Sequence, residues 1–366
     1  MGSRRFGVEE ELLLVHPDNG QAVSVASAAL DQVPSGKDQR EEEGVTGELT
    51  RAQIETATRP CDSLEELGAE LRRWRQVTAT AAEAVGSQVA ALATAPLPAR
   101  PLITPSPRYQ RMVDEFGPTA EQQLTCGCHV HVEIDSDEEG VAILDRIRGW
   151  LPPLLALSAN SPFWQGEDST YASFRSQVWA RWPSAGPTEL FGSAQAYHAT
   201  VQAMIDSETI LDEGMVYFDA RLSRQHPTLE VRVADVCLLP DDAVLLAALV
   251  RALADTAARA WHADEPPAPL RVELLRLMAW RAGRSGLDGD LLGPTGRPAS
   301  SKEVLRSLIQ HVRPALEESG DLDIVKDLVA ALLQRGNGAT IQRRAYRQTG
   351  HLPDVVTYAV QRTVEP

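Results

Sequence analysis

The chain has 366 residues, 43% hydrophobic and 23% charged, which is the usage of a globular protein long enough to bury a large core. A formal net charge of −16 opposes phosphodiester backbones, so nucleic acid is not an expected partner. No run of about 18 apolar residues predicts a membrane span, and the N-terminus lacks the apolar core of a signal peptide, so a cytoplasmic location is expected.

Residues 6–15 read as a strand followed by a turn at 17–20, and the polar stretch 34–44 reads as a loop. Residues 46–58 are extended in character. Residues 64–93 have helical spacing, and Ser63 with Glu66 makes a capping box. The proline-rich stretch 95–107 is a surface loop, and a strand pattern resumes at 124–134. A helix is predicted over 138–159. Residues 160–192, with tryptophans at 164, 179 and 182, form an irregular segment of a length uncommon unless functional. A helix at 193–206 and strands near 215–221 and 228–237 follow. Helices then fit 240–262, 270–283, 302–318 and 321–335, with breaks at 264–269 and 285–300 and a basic cluster over 336–350. Irregular alternation of strand and helix predicts an α+β fold with an antiparallel or mixed sheet. No GxGxxG or GxxxxGK[ST] follows a strand, so dinucleotide and P-loop sites are not expected.

Three of the strands carry chemistry. In Gly7–Leu12 (GVEEEL), Glu9 and Glu11 share one face, with Val8, Glu10 and Leu12 on the other. Like carboxylates on one strand face repel unless a cation lies between them, although a solvated edge strand reads the same way. In Cys126–Ile134 (CGCHVHVEI), His129, His131 and Glu133 face opposite to Cys126 and Cys128. That separation argues against a zinc site of cysteines and histidines, and makes the cysteines core residues. In Thr228–Asp235 (TLEVRVAD), Glu230 and Arg232 share a face, with Leu229, Val231 and Val233 on the buried one; a plain surface ion pair is the bland alternative. Glu48 and Glu55 are seven apart, so a bulge or turn near Thr50-Arg51 is needed to aim both at one site. Five carboxylates, two histidines and an arginine suit Mg²⁺ or Mn²⁺ better than Zn²⁺, and magnesium beside arginine points to phosphoryl transfer.

These residues resemble the type 2 glutamate–cysteine ligase, or carboxylate–amine ligase, family. The resemblance rests on Phe6–Leu12 (FGVEEEL), Gln53–Thr58 (QIETAT), Cys128–Val132 (CHVHV), Leu157–Pro162 (LSANSP) with Gln165–Ser169 (QGEDS), and Thr228–Asp235, in the family's order over roughly residues 5–260. It implies a glutamine-synthetase-like fold: a curved, mainly antiparallel sheet forming a half-barrel, with helices outside and two or three Mg²⁺ ions on the concave face. One catalytic domain over 1–366 is expected, helical beyond about 264. ATP phosphorylates a carboxylate, typically that of L-glutamate, and an amine attacks the acyl phosphate. Glu9, Glu11, Glu55 and Glu230 are implied metal ligands, with Glu48 and His131 as further ones. Arg232 is the implied cation on transferred phosphate, and Arg175 and Arg221 match positions lining the substrate cleft. Arg343, Arg344 and Arg347 fall in a basic segment that approaches nucleotide in the family; a solvated basic helix is the alternative. His129 is a conceivable base or substrate contact. Two departures stand out: Glu133 replaces a usual glycine, and the stretch around Glu48–Arg51 differs from the pattern. Family habit also points to a homodimer. A metal-dependent amide hydrolase, or a non-catalytic protein binding amino acids or metal, are the competing readings.

Overall fold

A computed structural model describes residues 4–34 and 44–365. Most of the loop expected at 34–44 lies outside the described residues. Strands are β1 Phe6–Val15, β2 Gly44–Gly47, β3 Gln53–Ala57, β4 Gln88–Ala90, β5 Gly127–Glu133, β6 Phe163–Trp164, β7 Glu167–Asp168, β8 Ala220–Leu222, β9 Thr228–Asp235, β10 Asp290–Leu292 and β11 Pro298–Ser300. Helices are α1 Ala26–Leu30, α2 Leu64–Ala84, α3 Pro107–Phe116, α4 Pro118–Glu121, α5 Asp137–Ile147, α6 Leu151–Ser158, α7 Arg175–Trp179 and α8 Ala194–Asp206. The C-terminal half adds α9 Pro240–His262, α10 Val272–Ser285, α11 Ser301–Ser319, α12 Leu322–Arg335, α13 Gly338–Thr349 and α14 Leu352–Thr363.

The architecture is α+β. One open sheet runs β2-β3-β1-β5-β9-β8, with β4 also on β1, and every pairing is antiparallel. Alternation decides its faces. Phe6, Val8, Cys128, Val130, Val132, Leu229 and Val231 pack inward, against a layer in which α9 lies on β5 and α6 on β9. Helix α9, rich in Ala and Leu, is buried over most of its surface, as expected of a helix apolar nearly all round. All four cysteines are free and buried, consistent with their expected core role.

Glu10 is the exception on the inner face. Its carboxylate is wholly buried and accepts from Arg75 Nη2 at 2.6 Å and Arg75 Nε at 2.8 Å. Arg75 comes from α2 and also donates to the carbonyls of Cys237 (2.6 Å) and Leu238 (3.0 Å).

Several elements differ from the sequence expectation, for local reasons. The helix expected over 64–93 ends at Ala84, because Gly86 turns the chain at φ +74° and 88–90 pairs with β1 as β4. Ser63 accepts from Glu66 N–H as expected, but the Glu66 carboxylate takes Asp62 N–H, so the box is not reciprocal. The helix expected over 138–159 is split at Arg148–Trp150, because Pro152 and Pro153 have no N–H to give to the preceding turn. The stretch 46–58 is a hairpin, β2 and β3 about a turn, rather than one extended run. Helix α3 was not anticipated; Ser106 caps it and Pro107 starts it.

Candidate active site

Cross-strand register assembles the site. Glu11 on β1 stands opposite Glu55 on β3, and Glu9 opposite His129 on β5. His131 stands opposite Glu230 on β9, and Glu230 opposite Arg221 on β8. The β2–β3 turn resolves the spacing of Glu48 and Glu55, since it reverses the chain between them and both reach the same cluster. On β9 a bulge sits opposite His129: Cys128 pairs with Ala234 but Val130 with Val231, so β9 carries one residue more. Beyond it lies Asp235, fully buried and accepting from Asn160 N–H and the Ser161 and Ser173 hydroxyls.

The side chains converge on one cleft of 270 Å³, whose lining includes Glu9, Glu11, Glu48, Glu55, His129, His131, Arg221, Glu230 and Arg232. Three donor triads form in it, each with ligand atoms within 4.8 Å of one another: Glu11–Glu48–Glu55, Glu9–Glu55–His129 and Glu9–His131–Glu230. Arg221 Nε donates to Glu230 Oε2 at 2.7 Å, and Arg232 pairs with the other oxygen. His131 Nε2 lies 3.3 Å from Glu9 Oε1, and His129 Nδ1 3.2 Å from Glu9 Oε2.

The electrostatics divide the carboxylates into two kinds. Burial works against Glu9 and Glu230, yet the charge of His131 and a hydrogen bond from His129 hold Glu9 well below the usual carboxylate range, and the charges of Arg232 and Arg221 do the same for Glu230. Burial and the Glu48 carboxylate push Glu11 up to about 7. Burial with Glu48, Glu9 and Glu11 drives Glu55 well above the usual carboxylate range. Burial and Arg232 push His129 down to about 4, which leaves a neutral imidazole at neutral pH, and its Nε2 is buried without a hydrogen-bond partner. Repelling carboxylates within ligand distance and an orphaned imidazole nitrogen fit a hard divalent cation with oxygen-rich ligands.

This arrangement predicts an unusual pH response. Glu11 and Glu55 have folded pKa values above the 4.5 of a free glutamate, so the folded state holds more protons than the unfolded one as pH rises past that value. Their contribution is full at low pH and is lost as pH rises through about 7 and beyond. His131, raised by Glu9 against its burial, has the same sign above about pH 6.5. His129, with a lowered pKa, acts oppositely but only below about 6.5. Metal-free protein therefore melts lower at about pH 8.5 than at about pH 6.5, and Mg²⁺ closes the gap. Thermal melts at the two pH values, with and without Mg²⁺, check this; equal Tm values without metal would contradict it.

Other anticipated residues fall elsewhere. Arg175 is only 2% exposed, behind Gly127, where a Cβ would lie 2.5 Å from its Nη2. Gly127 N–H donates to Glu11 Oε2 at 2.5 Å, so Arg175 faces the carboxylate through this glycine. Arg343 pairs with Asp168, Arg344 donates to the carbonyl of Arg335, Arg347 is exposed on α13, and none of the three lines the cleft. Glu133 pairs with Arg5 at 2.8 Å and lines an adjoining bay of 250 Å³ that shares Glu9 and His131 with the cleft. Sequence reasoning missed the opposite wall: Arg108 and Tyr109 of α3, Trp179, Trp182 and Tyr217. Trp179 and Tyr217 have ring centroids 4.8 Å apart, and Trp179 lies beneath the Arg232 guanidinium. Their one sequence signal was the long tryptophan-bearing segment 160–192.

An open antiparallel sheet thus carries clustered carboxylates and paired arginines on one face, with helices on the other. Comparison with solved structures agrees on the fold: a glutamate–cysteine ligase of Francisella tularensis in complex with AMP superposes with TM-score 0.69 at 14% identity, over 100% of this chain and 90% of that one. A bifunctional glutathione synthetase of Pasteurella multocida gives 0.67 at 17% identity, over 98% of this chain and 52% of that one. The family described as glutamate–cysteine ligase family 2 matches residues 5–358. A protein of Streptomyces avermitilis, provisionally named glutamate–cysteine ligase 2-1, is 53% identical over 98% of this chain and 99% of its own length. One of Streptomyces coelicolor, provisionally named glutamate–cysteine ligase 2, is 53% identical over the same shares. The chain belongs to glutamate–cysteine ligase family 2. It is a carboxylate–amine ligase, an ATP-dependent enzyme that forms C–N bonds. No helix among the described residues is long and apolar enough to cross a membrane.

Proposed function

We propose that the chain joins the side-chain carboxylate of L-glutamate to an amine, cysteine being the first acceptor to try, through an acyl phosphate. The observation that carries this reading is the set of three donor triads beside Arg221 and Arg232 in one cleft. The γ-phosphoryl of ATP passes to the carboxylate oxygen, releasing ADP; the neutral amine then attacks the acyl carbon and expels phosphate. Glu11, Glu48 and Glu55, and Glu9, His131 and Glu230, are the residues that would hold Mg²⁺, which would supply charge neutralisation for phosphate oxygens.

The chain's own residues do the rest. Arg232 and Arg221, fixed by Glu230, present guanidinium N–H groups where negative charge develops on the transferring phosphoryl group. Arg175, too buried to touch substrate, keeps positive charge behind Glu11. The bay shared with Glu9 and His131, with Ala57, Pro60 and Pro227 in its wall, offers an apolar slot for the nucleotide base beside the phosphate site. Arg343, Arg344 and Arg347 sit outside both cavities, so nucleotide contact by them would require movement of α13.

The test is phosphate release from ATP with Mg²⁺, with glutamate as donor and a panel of amines including cysteine. Release that requires both substrates, with a product of the condensed mass, supports the proposal. Amide turnover without ATP, and no ATP-dependent product, would replace it with a hydrolase.

A further inference from the structure

A second cavity lies on the helical side of the molecule and shares no lining residue with the carboxylate cleft. Its volume is 520 Å³, against 270 Å³ for the cleft. It lies between the end of α5, the last turns of α9, the segment 265–268 and α11. Ile147, Trp150, Leu253, Pro267 and Pro314 contribute apolar wall, together with the small side chains of Ala257 and Ala260. Trp150 and His311 are stacked there, with ring centroids 4.8 Å apart and planes 21° from parallel.

The charge in this wall is unbalanced. Arg146 donates to the carbonyls of Ala142 at 2.9 Å and Glu265 at 2.6 Å, its Nε is buried without a partner, and no carboxylate of the described residues pairs with it. Next to it Arg148, 5% exposed, is likewise served by carbonyls alone, those of Asp145, Thr188 and Ala268. Burial lowers the pKa of both guanidiniums, the sign of desolvated charge without adequate compensation. Elsewhere in this acidic chain buried arginines find carboxylates, as Arg75 finds Glu10 and Arg251 finds Asp321. Arg259, at the rim, is already neutralised by Glu318 at 2.6 Å. Asp145 and Glu265, the latter in the same wall, act on Arg146 only as charges beyond ion-pair distance, and an apolar cavity with a guanidinium held in no ion pair is complementary to an amphipathic anion.

We propose that this cavity binds a small organic anion with a flat apolar body, its anionic group against Arg146 and its body along the Trp150 and Ala257 side. A carboxylate and a nucleotide phosphate share that chemistry.

The probe is 1-anilinonaphthalene-8-sulfonate, titrated by fluorescence into the full chain. We expect saturable binding, weakened at least about tenfold by Arg146→Met, the loss of one charge-assisted contact. Ala260→Trp, which fills the cavity, removes it. Neither residue belongs to the cleft, so ATP-dependent turnover stays as in the parent chain. Displacement of the probe by indole-3-carboxylate assigns the anion as a carboxylate, and displacement by AMP as a phosphate. Probe binding that is absent, or unchanged in both variants, overturns the proposal. If Ala260→Trp lowers Tm, Arg146→Met still decides, because it removes a charge that has no carboxylate partner to strand.

Discussion

Replacing Glu55 by glutamine is expected to cut metal-dependent turnover by on the order of 100-fold or more while leaving the fold intact. The first half follows from position. Glu55 belongs to two of the three donor triads, and a cation in such a site contributes several kcal/mol of charge stabilisation, with each factor of ten in rate worth about 1.4 kcal/mol. The second half follows from repulsion. Glu48, Glu9 and Glu11 all oppose ionisation of Glu55, and burial adds to them. A neutral amide of the same shape relieves that repulsion, so metal-free protein should melt no lower than the parent at about pH 8. Mg²⁺ should then raise Tm less in the variant than in the parent. Turnover within about twofold of the parent, less than 0.5 kcal/mol of barrier, would remove Glu55 from the ligand set.

Glu230 is a poorer choice for the same experiment, although its carboxylate is as central. Arg221 and Arg232 both grip it, so Glu230→Gln would strand two largely buried guanidiniums and mix a loss of fold with a loss of chemistry. The β9 strand thus carries a paired carboxylate, whereas β3 carries a repelled one.

Arg75→Met is expected to destabilise the chain by about 3–5 kcal/mol, the cost of leaving one partner of a buried ion pair uncompensated. The pair is fully excluded from solvent on both sides and bidentate in geometry. The carbonyls of Cys237 and Leu238 lose a donor as well. Removing both charges together, in Glu10→Leu with Arg75→Met, should recover much of the loss, since an apolar pair of similar volume packs where the ions did. Urea unfolding of the two single variants and the double variant measures the coupling. A loss below about 1 kcal/mol for Arg75→Met would put the pair in the class of solvated surface bridges.

The three consecutive glutamates of β1 show how much the sequence could say. Period-two alternation alone separates Glu9 and Glu11 from Glu10, and it does the same for the histidines and cysteines of β5. Those assignments need only the geometry of one strand. That Glu10 is a buried structural ion rather than a solvated one depends on Arg75, sixty-five residues away on α2, and no local pattern pairs them.

The strands β1, β5 and β9 with their polar faces, and the placing of α9, were therefore determined by the sequence, because each is a property of neighbours along the chain. Tertiary structure decided the rest. The β2–β3 turn brings Glu48 and Glu55 together against the simple parity of their spacing, and the β9 bulge shifts register opposite His129. Antiparallel order sets Glu11 beside Glu55 and His131 beside Glu230. Folding also buries Arg175 behind Gly127 and carries Trp179, Trp182 and Tyr217 over the cleft from distant segments. Contacts between residues far apart in the chain depend on register and packing, which local periodicity does not encode.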